Sequence, residues 1–323
     1  MWSFLVRRLL QSVAIVFVVA SLTFFLIHAA PGDPISAVLG DARIPESVRD
    51  TLRKQAGLDQ PVVMQYVRHL GLVASGHLGY SYSHHLPVST VLAHALPPTL
   101  LLMGTALGAG FAIGIGLGAL QGVRAGSRFD QITSAITTAT ATIPDFWLAL
   151  GAMLLFAMRL RVFPTGGMTT PVEHELMPPL GRVFDTLRHL VLPASCLGVI
   201  TASVVARYQR ASMIDAWRED CVRTARAAGV PRRRLVFRFA LRNALLPVVT
   251  LLGLALPALT GGAVFVESVF SWPGMGRTAV DALSMRDYPL VLGVAIVASS
   301  FVALGGIVAD LLYAAVDPRV RRA

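Results

Sequence analysis

Long apolar runs fix what this chain can fold into. They cover roughly Leu9–Ala29, Leu96–Val123, Ile132–Met158, Leu190–Ala206, Ala244–Val266 and Leu290–Ala314. A helix needs about twenty apolar residues to cross the hydrocarbon core of a bilayer, and each run approaches or passes that length. The chain is 54% hydrophobic and 14% charged, against about 25% charged in soluble domains. An all-α polytopic membrane protein with six transmembrane helices is therefore expected. Arg7 and Arg8 precede the first run, which continues to His28-Ala-Ala-Pro-Gly-Asp33. That run is too long for the apolar part of a signal peptide and reads as a retained first span.

Charge gives an orientation. With the N-terminus inside, the short segments on that side hold 17 of the 28 basic residues and 5 of the 18 acids. The longer outside segments hold 11 basic and 11 acidic residues, and Asp145 and Asp310 fall within spans. Cytoplasmic loops carry the excess of Lys and Arg, so both termini are expected in the cytoplasm. Residues 31–95 then form an extracytoplasmic insertion between spans one and two. Three helices are expected there: Pro45–Gly57, with Pro near its start and Gly at its end, Pro61–Ser75, stopped by Gly76, and Pro87–Ala95. The net charge of +10 is a topology signal and does not call for nucleic acid. Cys196 and Cys221 lie far apart and suggest neither a disulfide nor a metal site.

Three features inside the spans bear on function. Gly110, Gly114, Gly118 and Gly122 form a stripe on one helix face, suited to packing within the chain or at a subunit interface. Pro144 and Pro257 interrupt spans three and five, and irregular backbone is tolerated beside protein or a water-filled cavity. Asp145, next to Pro144, is thus a candidate for the translocation pathway, with a structural position as the alternative. Asp145, Asp310 and His28 are also the ionisable groups that an ion-coupled secondary transporter could use. Outside, His69, His77, His84, His85 and His94 lack the spacing of a metalloenzyme motif and read as solvated loop residues. Among the catalytic classes, no nucleophile motif is present. The only lysine, Lys54, has no glycine-rich phosphate loop before it, so ATP hydrolysis is not expected of this chain. No cofactor and no metal are expected.

The segment 207–243 carries ten arginines and three acids. Its first helical piece presents small residues (Ala225, Ala227, Ala228) and stops at Gly229, and Pro231 starts a second piece. Arg234, Arg238 and Arg242 recur every four residues there and suit phospholipid headgroups, with Leu235, Phe239 and Leu246 expected on the protein side. A loop obeying only the charge rule would not need this alanine-glycine knob before a proline.

This segment resembles the cytoplasmic loop of ATP-binding-cassette importer permeases, whose pattern is Glu-Ala-Ala, three residues, Gly. Arg223-Thr224-Ala225 and Gly229 stand at those positions, without the glutamate, and Leu246-Pro247 lies further along. Both departures are similar to the dipeptide/oligopeptide/nickel subfamily. Arg7-Arg8-Leu9-Leu10 with Pro31-Gly32-Asp33-Pro34, Leu78-Gly79-Tyr80-Ser81, Pro97-Pro98-Thr99-Leu100, Pro144-Asp145-Phe146-Trp147-Leu148, Phe270–Gly276 and Asp317–Arg321 also look like its B-type subunit. The resemblance extends over nearly the whole chain. It implies a single permease domain, 1–323, in a bacterial inner membrane, importing dipeptides or oligopeptides, with nickel chelates or glutathione handled by the same architecture. It implies as partners a second homologous permease subunit, cytosolic ATP-binding subunits, an extracytoplasmic substrate-binding protein and membrane lipid. Arg223, Thr224, Ala225, Arg226, Ala228 and Gly229 would dock in the ATPase, with Arg223 and Arg226 pairing with acids at the groove rim.

Overall fold

A computed structural model describes residues 2–29, 51, 59–255, 259 and 263–316, with the side chains of 2–5 and 310–316 excepted. The elements are α1 (Trp2–Ala29), α2 (Val62–Ala74), α3 (Val88–Val123), α4 (Arg128–Thr142), α5 (Asp145–Arg159), α6 (Pro179–Arg218), α7 (Asp220–Ala227), α8 (Arg232–Ala244), α9 (Leu246–Ala255), α10 (Val264–Val269), α11 (Met275–Ser284) and α12 (Tyr288–Val316). No strand occurs among the described residues. Among the described residues four helices are long and apolar enough to cross a membrane, and up to six spans result if the bent pairs α4–α5 and α8–α9 each count once. The expected helix Pro45–Gly57, the expected break at Pro257 and the segment Pro31–Pro34 lie outside the described residues, as does the side chain of Asp310.

The helices depart from the sequence reading in length. The expected run Leu190–Ala206 is the middle of α6, a 40-residue helix. Hydropathy sees only its apolar centre, whereas the polar ends remain good helix formers. The expected helix Pro87–Ala95, which leads into the second span, is continuous with it as the start of the 36-residue α3, through Pro97 and Pro98. The expected third span, Ile132–Met158, is two helices bent by 103° at Ile143–Pro144, a broken span or a re-entrant loop. Proline removes the N–H that would continue the ladder and disfavours helical backbone just before it. The expected helix Pro61–Ser75 appears as α2, and Gly76 ends it at φ +76°. There the Gly76 N–H reaches the Val73 carbonyl and the His77 N–H the Leu72 carbonyl, the paired bonds of a glycine-terminated helix.

Two compact units are recognised. The first comprises Met1–Thr99, Thr260–Val264 and Pro273–Leu304, and the second the remainder. In the first, Val88, Val91, Leu92, Ala282 and Leu290 form one core, and Phe24, Ile27 and Leu292 another. A strap between α2 and α3 is tied to the start of α12 by Asp287, which is fully buried. Its Oδ2 accepts from Ser81 Oγ at 2.5 Å, Ser83 N at 2.9 Å and Ser83 Oγ at 2.7 Å, and its Oδ1 accepts from Leu290 N at 3.2 Å. Asp287 is thus both the N-cap of α12 and the anchor of the strap.

In the second unit α3 and α6 approach closely along the glycine stripe. A Cβ on Gly110, Gly114 or Gly118 would come within 2.7 Å of the Cβ of Thr201, Val205 or Gln209, and one on Gly122 within 2.5 Å of the Met213 Cβ. The stripe therefore serves packing within the chain. Phe111, Val205 and Val248 extend that contact to α9.

Burial pushes the Asp287 carboxyl up, but its serine hydrogen bonds outweigh this and hold it below the usual carboxylate range. A depressed folded pKa contributes stability that is complete above the unfolded value of about 3.9 and is lost as pH falls through the folded one. Asp287→Ala should strand buried donors and remove a cap, costing about 2–3 kcal/mol. The expected result is a lower thermal midpoint for the purified chain at neutral pH, with the gap to the parent narrowing only well below pH 4 (~3.9 being the unfolded value). An unchanged midpoint at neutral pH would remove the anchor role.

Candidate functional site

The basic segment after α6 folds into two helical pieces, as its sequence suggests. α6 ends at Arg218, Glu219 takes extended backbone, and α7 begins at Asp220. α7 closes at Ala228, where Gly229 adopts φ +78°. The Gly229 N–H bonds the Arg226 carbonyl at 3.1 Å and the Val230 N–H the Ala225 carbonyl at 3.1 Å. A left-handed residue is required at this point, which explains the glycine. Pro231 then precedes the first turn of α8.

One buried residue seats α7. Val222 is fully buried among Met213 and Ala216 of α6 and Ala240 and Ala244 of α8. Glu219 Oε2 accepts from Asn243 Nδ2 at 2.9 Å, bracing the start of α7 against the end of α8. Thr224, Ala227, Ala228 and Gly229 remain exposed, Ala225 is half-buried, and the outer surface of α7 is built from small side chains between arginines. Arg226 lies over the Trp217 ring at 5.0 Å, and Arg223 pairs with Asp220 at 3.3 Å. Both arginines are exposed, so these contacts are worth little and leave the guanidinium groups able to take other partners.

The second piece carries Arg234, Arg238 and Arg242 on its exposed side, as expected, and buries Leu235. Leu246, expected on the protein side, is exposed. Between Leu235 and Leu246 lie the π-helical stretch Leu235–Ala240, whose wider turns shift the phase, and a 47° bend after Ala244, so a uniform helical period does not carry over to Leu246.

At the other candidate position Pro144 sits at the bend and Asp145 caps its own turn, its Oδ1 accepting from Phe146 N at 2.8 Å. The structure does not bring Asp145 into contact with the α7 residues. Of the outside histidines, His84, His85 and His94 are exposed as expected, whereas His69 is half-buried against Phe24 at 5.4 Å. Among the described residues no group of His, Cys, Asp and Glu could hold a metal ion.

Besides Asp287, the buried carboxylates Asp130 and Asp185 escaped the sequence reading. Asp130 accepts from Arg210 Nε at 2.6 Å and Nη2 at 2.8 Å, from Gly126 N at 2.8 Å and from Ser134 Oγ at 3.2 Å. This two-pronged pair ties the α3–α4 turn to the stretch of α6 that leads into α7. Asp185 accepts from Thr170 N at 2.9 Å, Thr170 Oγ1 at 2.7 Å and His174 Nδ1 at 2.7 Å. The guanidinium that holds Asp130 is 80 residues away, and Thr170 and His174 are 15 and 11 residues from Asp185, so no local motif announces either acid.

The family model described as "Binding-protein-dependent transport system inner membrane component" matches residues 110–322, and its N-terminal counterpart matches residues 1–103. The chain belongs to this family of transport permeases. The boundary between the two matches lies close to the division of the compact units at Thr99. The chain is 37% identical over 321 residues to the oligopeptide transport system permease protein AppB of Bacillus subtilis, covering 99% of both chains. It is 37% identical over 333 residues to the di/tripeptide transport system permease protein DppB of Pseudomonas aeruginosa, again covering 99% of both. Its fold is similar to a solved chain of the MetNI methionine ABC transporter, described as inward facing, with a TM-score of 0.52 and 18% identity over 71% of this chain and 97% of that one. This permease is a multi-pass protein of the bacterial inner membrane. Membership implies an ATPase and other partner subunits in general terms.

Proposed function

We propose that this permease imports dipeptides or oligopeptides and that α7 couples it to a cytosolic ATPase. The chain forms one transmembrane permease domain, 1–323, of six spans, with both termini cytoplasmic and residues 31–95 outside. A second similar permease subunit completes the pore, and an extracytoplasmic binding protein delivers cargo. ATP hydrolysis belongs to the partner. Two peptide-transport relatives matched over nearly their full length support the cargo. The observation that carries the coupling role is the seating of α7. Its inner side is fixed to α6 and α8 through Val222, while its outer side offers small residues and unburied arginines.

In this reading Arg223, Thr224, Ala225, Arg226, Ala228 and Gly229 form a knob for a groove on the ATPase. Closure of the ATPase dimer displaces the knob, and α6 carries the displacement into the membrane. Pro144 and Asp145 line the cargo route, where a carboxylate attracts cationic groups.

Sidedness is checked with a membrane-impermeant thiol reagent. Cys221 is exposed and Cys196 buried. Cys221 should react in inverted vesicles and stay unlabelled in right-side-out ones, with cysteines placed at His84 and Glu175 behaving in the opposite way. Labelling of Cys221 from the outside would reverse the orientation.

Coupling is checked with Gly229→Val. Space exists for a side chain, but the left-handed backbone does not suit a β-branched residue and would cost about 1–2 kcal/mol. Binding-protein docking should persist while peptide uptake and peptide-stimulated ATP hydrolysis fall together, by tenfold or so. Full uptake by a correctly inserted variant would remove the coupling role from α7.

In the same assay Asp145→Asn should lower uptake of basic peptides more than of acidic ones, with assembly unchanged. An equal loss for all peptides, with poor assembly, would mark Asp145 as structural.

A further inference from the structure

The first compact unit holds a half-open cavity of about 360 Å³ that the transport reading does not use. It lies among the last turns of α1, the middle of α2, the strap 79–82 and the first turns of α12. Phe24 stacks with two imidazoles, His28 at 4.0 Å and His69 at 5.4 Å. Both nitrogens of His28 face oxygen, Nδ1 towards the Phe24 carbonyl at 2.8 Å and Nε2 towards Gln65 Oε1 at 3.1 Å. Nε2 of His69 is buried and has no hydrogen-bond partner. Such a group is costly to leave unmade, and His69 is among the residues that line the cavity.

The lining is one-sided in charge. Arg68, His28, His69 and His77 contribute to it, and no aspartate or glutamate does among the described residues. Tyr80 and Tyr82 add hydroxyls, and Leu72, Leu292 and Ile296 add an apolar floor. Burial, and then the neighbouring His28, hold the His69 ring below its ordinary pKa, and the carboxylate behind the strap, Asp287, is already taken up by Ser81 and Ser83. The cavity is at the end of two membrane-length helices, α1 and α12. On the face of α1 that carries Phe24, the preceding turns present unburied apolar side chains, with Phe17 52% and Val13 61% exposed. A polar, cation-lined chamber at the end of a lipid-facing helix has the layout of a headgroup site, where long basic and aromatic side chains meet the interface.

We propose that this cavity binds the phosphate of an anionic glycerophospholipid. Arg68 and the His69 Nε2–H donate to the phosphate oxygens, the tyrosine hydroxyls bound the glycerol side, and the acyl chains lie along the exposed face of α1. Cargo is a poorer occupant, because the apolar continuation runs along the outside of a span. The assignment to the outer leaflet rests on the orientation proposed above, whereas the site itself does not.

The test uses the full chain purified in neutral detergent and observed by native mass spectrometry. Three probes are titrated: palmitoyl-oleoyl phosphatidylglycerol, the matching diacylglycerol and inorganic phosphate. The expected result is one tightly held phosphatidylglycerol per chain, with diacylglycerol and inorganic phosphate each at least tenfold weaker. The double variant Arg68→Gln/His69→Phe keeps the aromatic stack and should lose at least tenfold in phosphatidylglycerol affinity, whereas Arg188→Gln should lose none. Equal binding of diacylglycerol would show an apolar groove only, and equal binding of inorganic phosphate a free-anion site. Either overturns the proposal, as does unchanged binding by the double variant. Should that variant fail to insert, the ranking of the three probes on the parent chain decides alone. No transport is measured, so loss of the cargo or coupling reading would leave this result intact.

Discussion

The close contact of α3 with α6 is the constraint on which the second unit depends. Lipid offers no hydrophobic drive to bring two apolar helices together, so their attraction comes from packing at short range. Four glycines, one per turn, open a groove into which Thr201, Val205, Gln209 and Met213 fit. A methyl group at any of them would meet a side chain or carbonyl nearer than van der Waals contact allows. Because the contact extends from Gly110 to Gly122, α6 is held along its length rather than at one point. That matters because α6 continues beyond the contact and ends where α7 begins.

The parts of this fold that could be read in the sequence are those written in local chemistry. Gly229 before Pro231, and Gly76 after a short amphipathic run, mark helix ends because left-handed backbone is cheap only for glycine. The glycine stripe also announced itself, though a single sequence left open which surface it would meet. Less legible was anything governed by polar helix ends. Residues 179–189 and 207–218 contain enough charge to fail a hydropathy criterion, yet they are helical because α6 supplies the continuing ladder. Leu246 went astray for a different reason: a π-helical stretch and then a 47° bend separate it from the arginine stripe, and no periodicity count reveals either. His69 looked like a solvated loop residue because its stacking partner, Phe24, lies on another helix.

Three buried carboxylates show why sites built over long sequence separations stay hidden. Asp130, Asp185 and Asp287 each accept at least three hydrogen bonds. Burying a charge is tolerable only when its lone pairs are filled, so each acid must recruit donors from elsewhere in the chain. Arg210 is 80 residues from Asp130, and Ser81 is 206 from Asp287. The resulting knots hold segments that are not themselves apolar: the α3–α4 turn, the stretch before α6 and the strap. Hydrophobic patterning locates the spans, and these carboxylates then fix the polar connections between them.

The proposed coupling role follows from how these restraints are distributed around α7. Asp130 grips Arg210 two turns before the end of α6, and Val222 is packed beneath Met213 and Ala216 immediately beyond it. Glu219 holds Asn243 at the start of the return path. A displacement of α7 would therefore have few soft joints in which to be absorbed before reaching α6, since the intervening residues are buried, hydrogen-bonded or both. Gly229 is different. It stands at the exposed tip with no atom near its missing side chain, so its conformation matters through the shape it gives the knob and not through packing. Rigidity behind and small residues in front are the properties a docked lever needs. They arise here from separate sequence features: a valine facing inward, a glutamate that holds Asn243 at the surface, and an alanine-glycine run facing out.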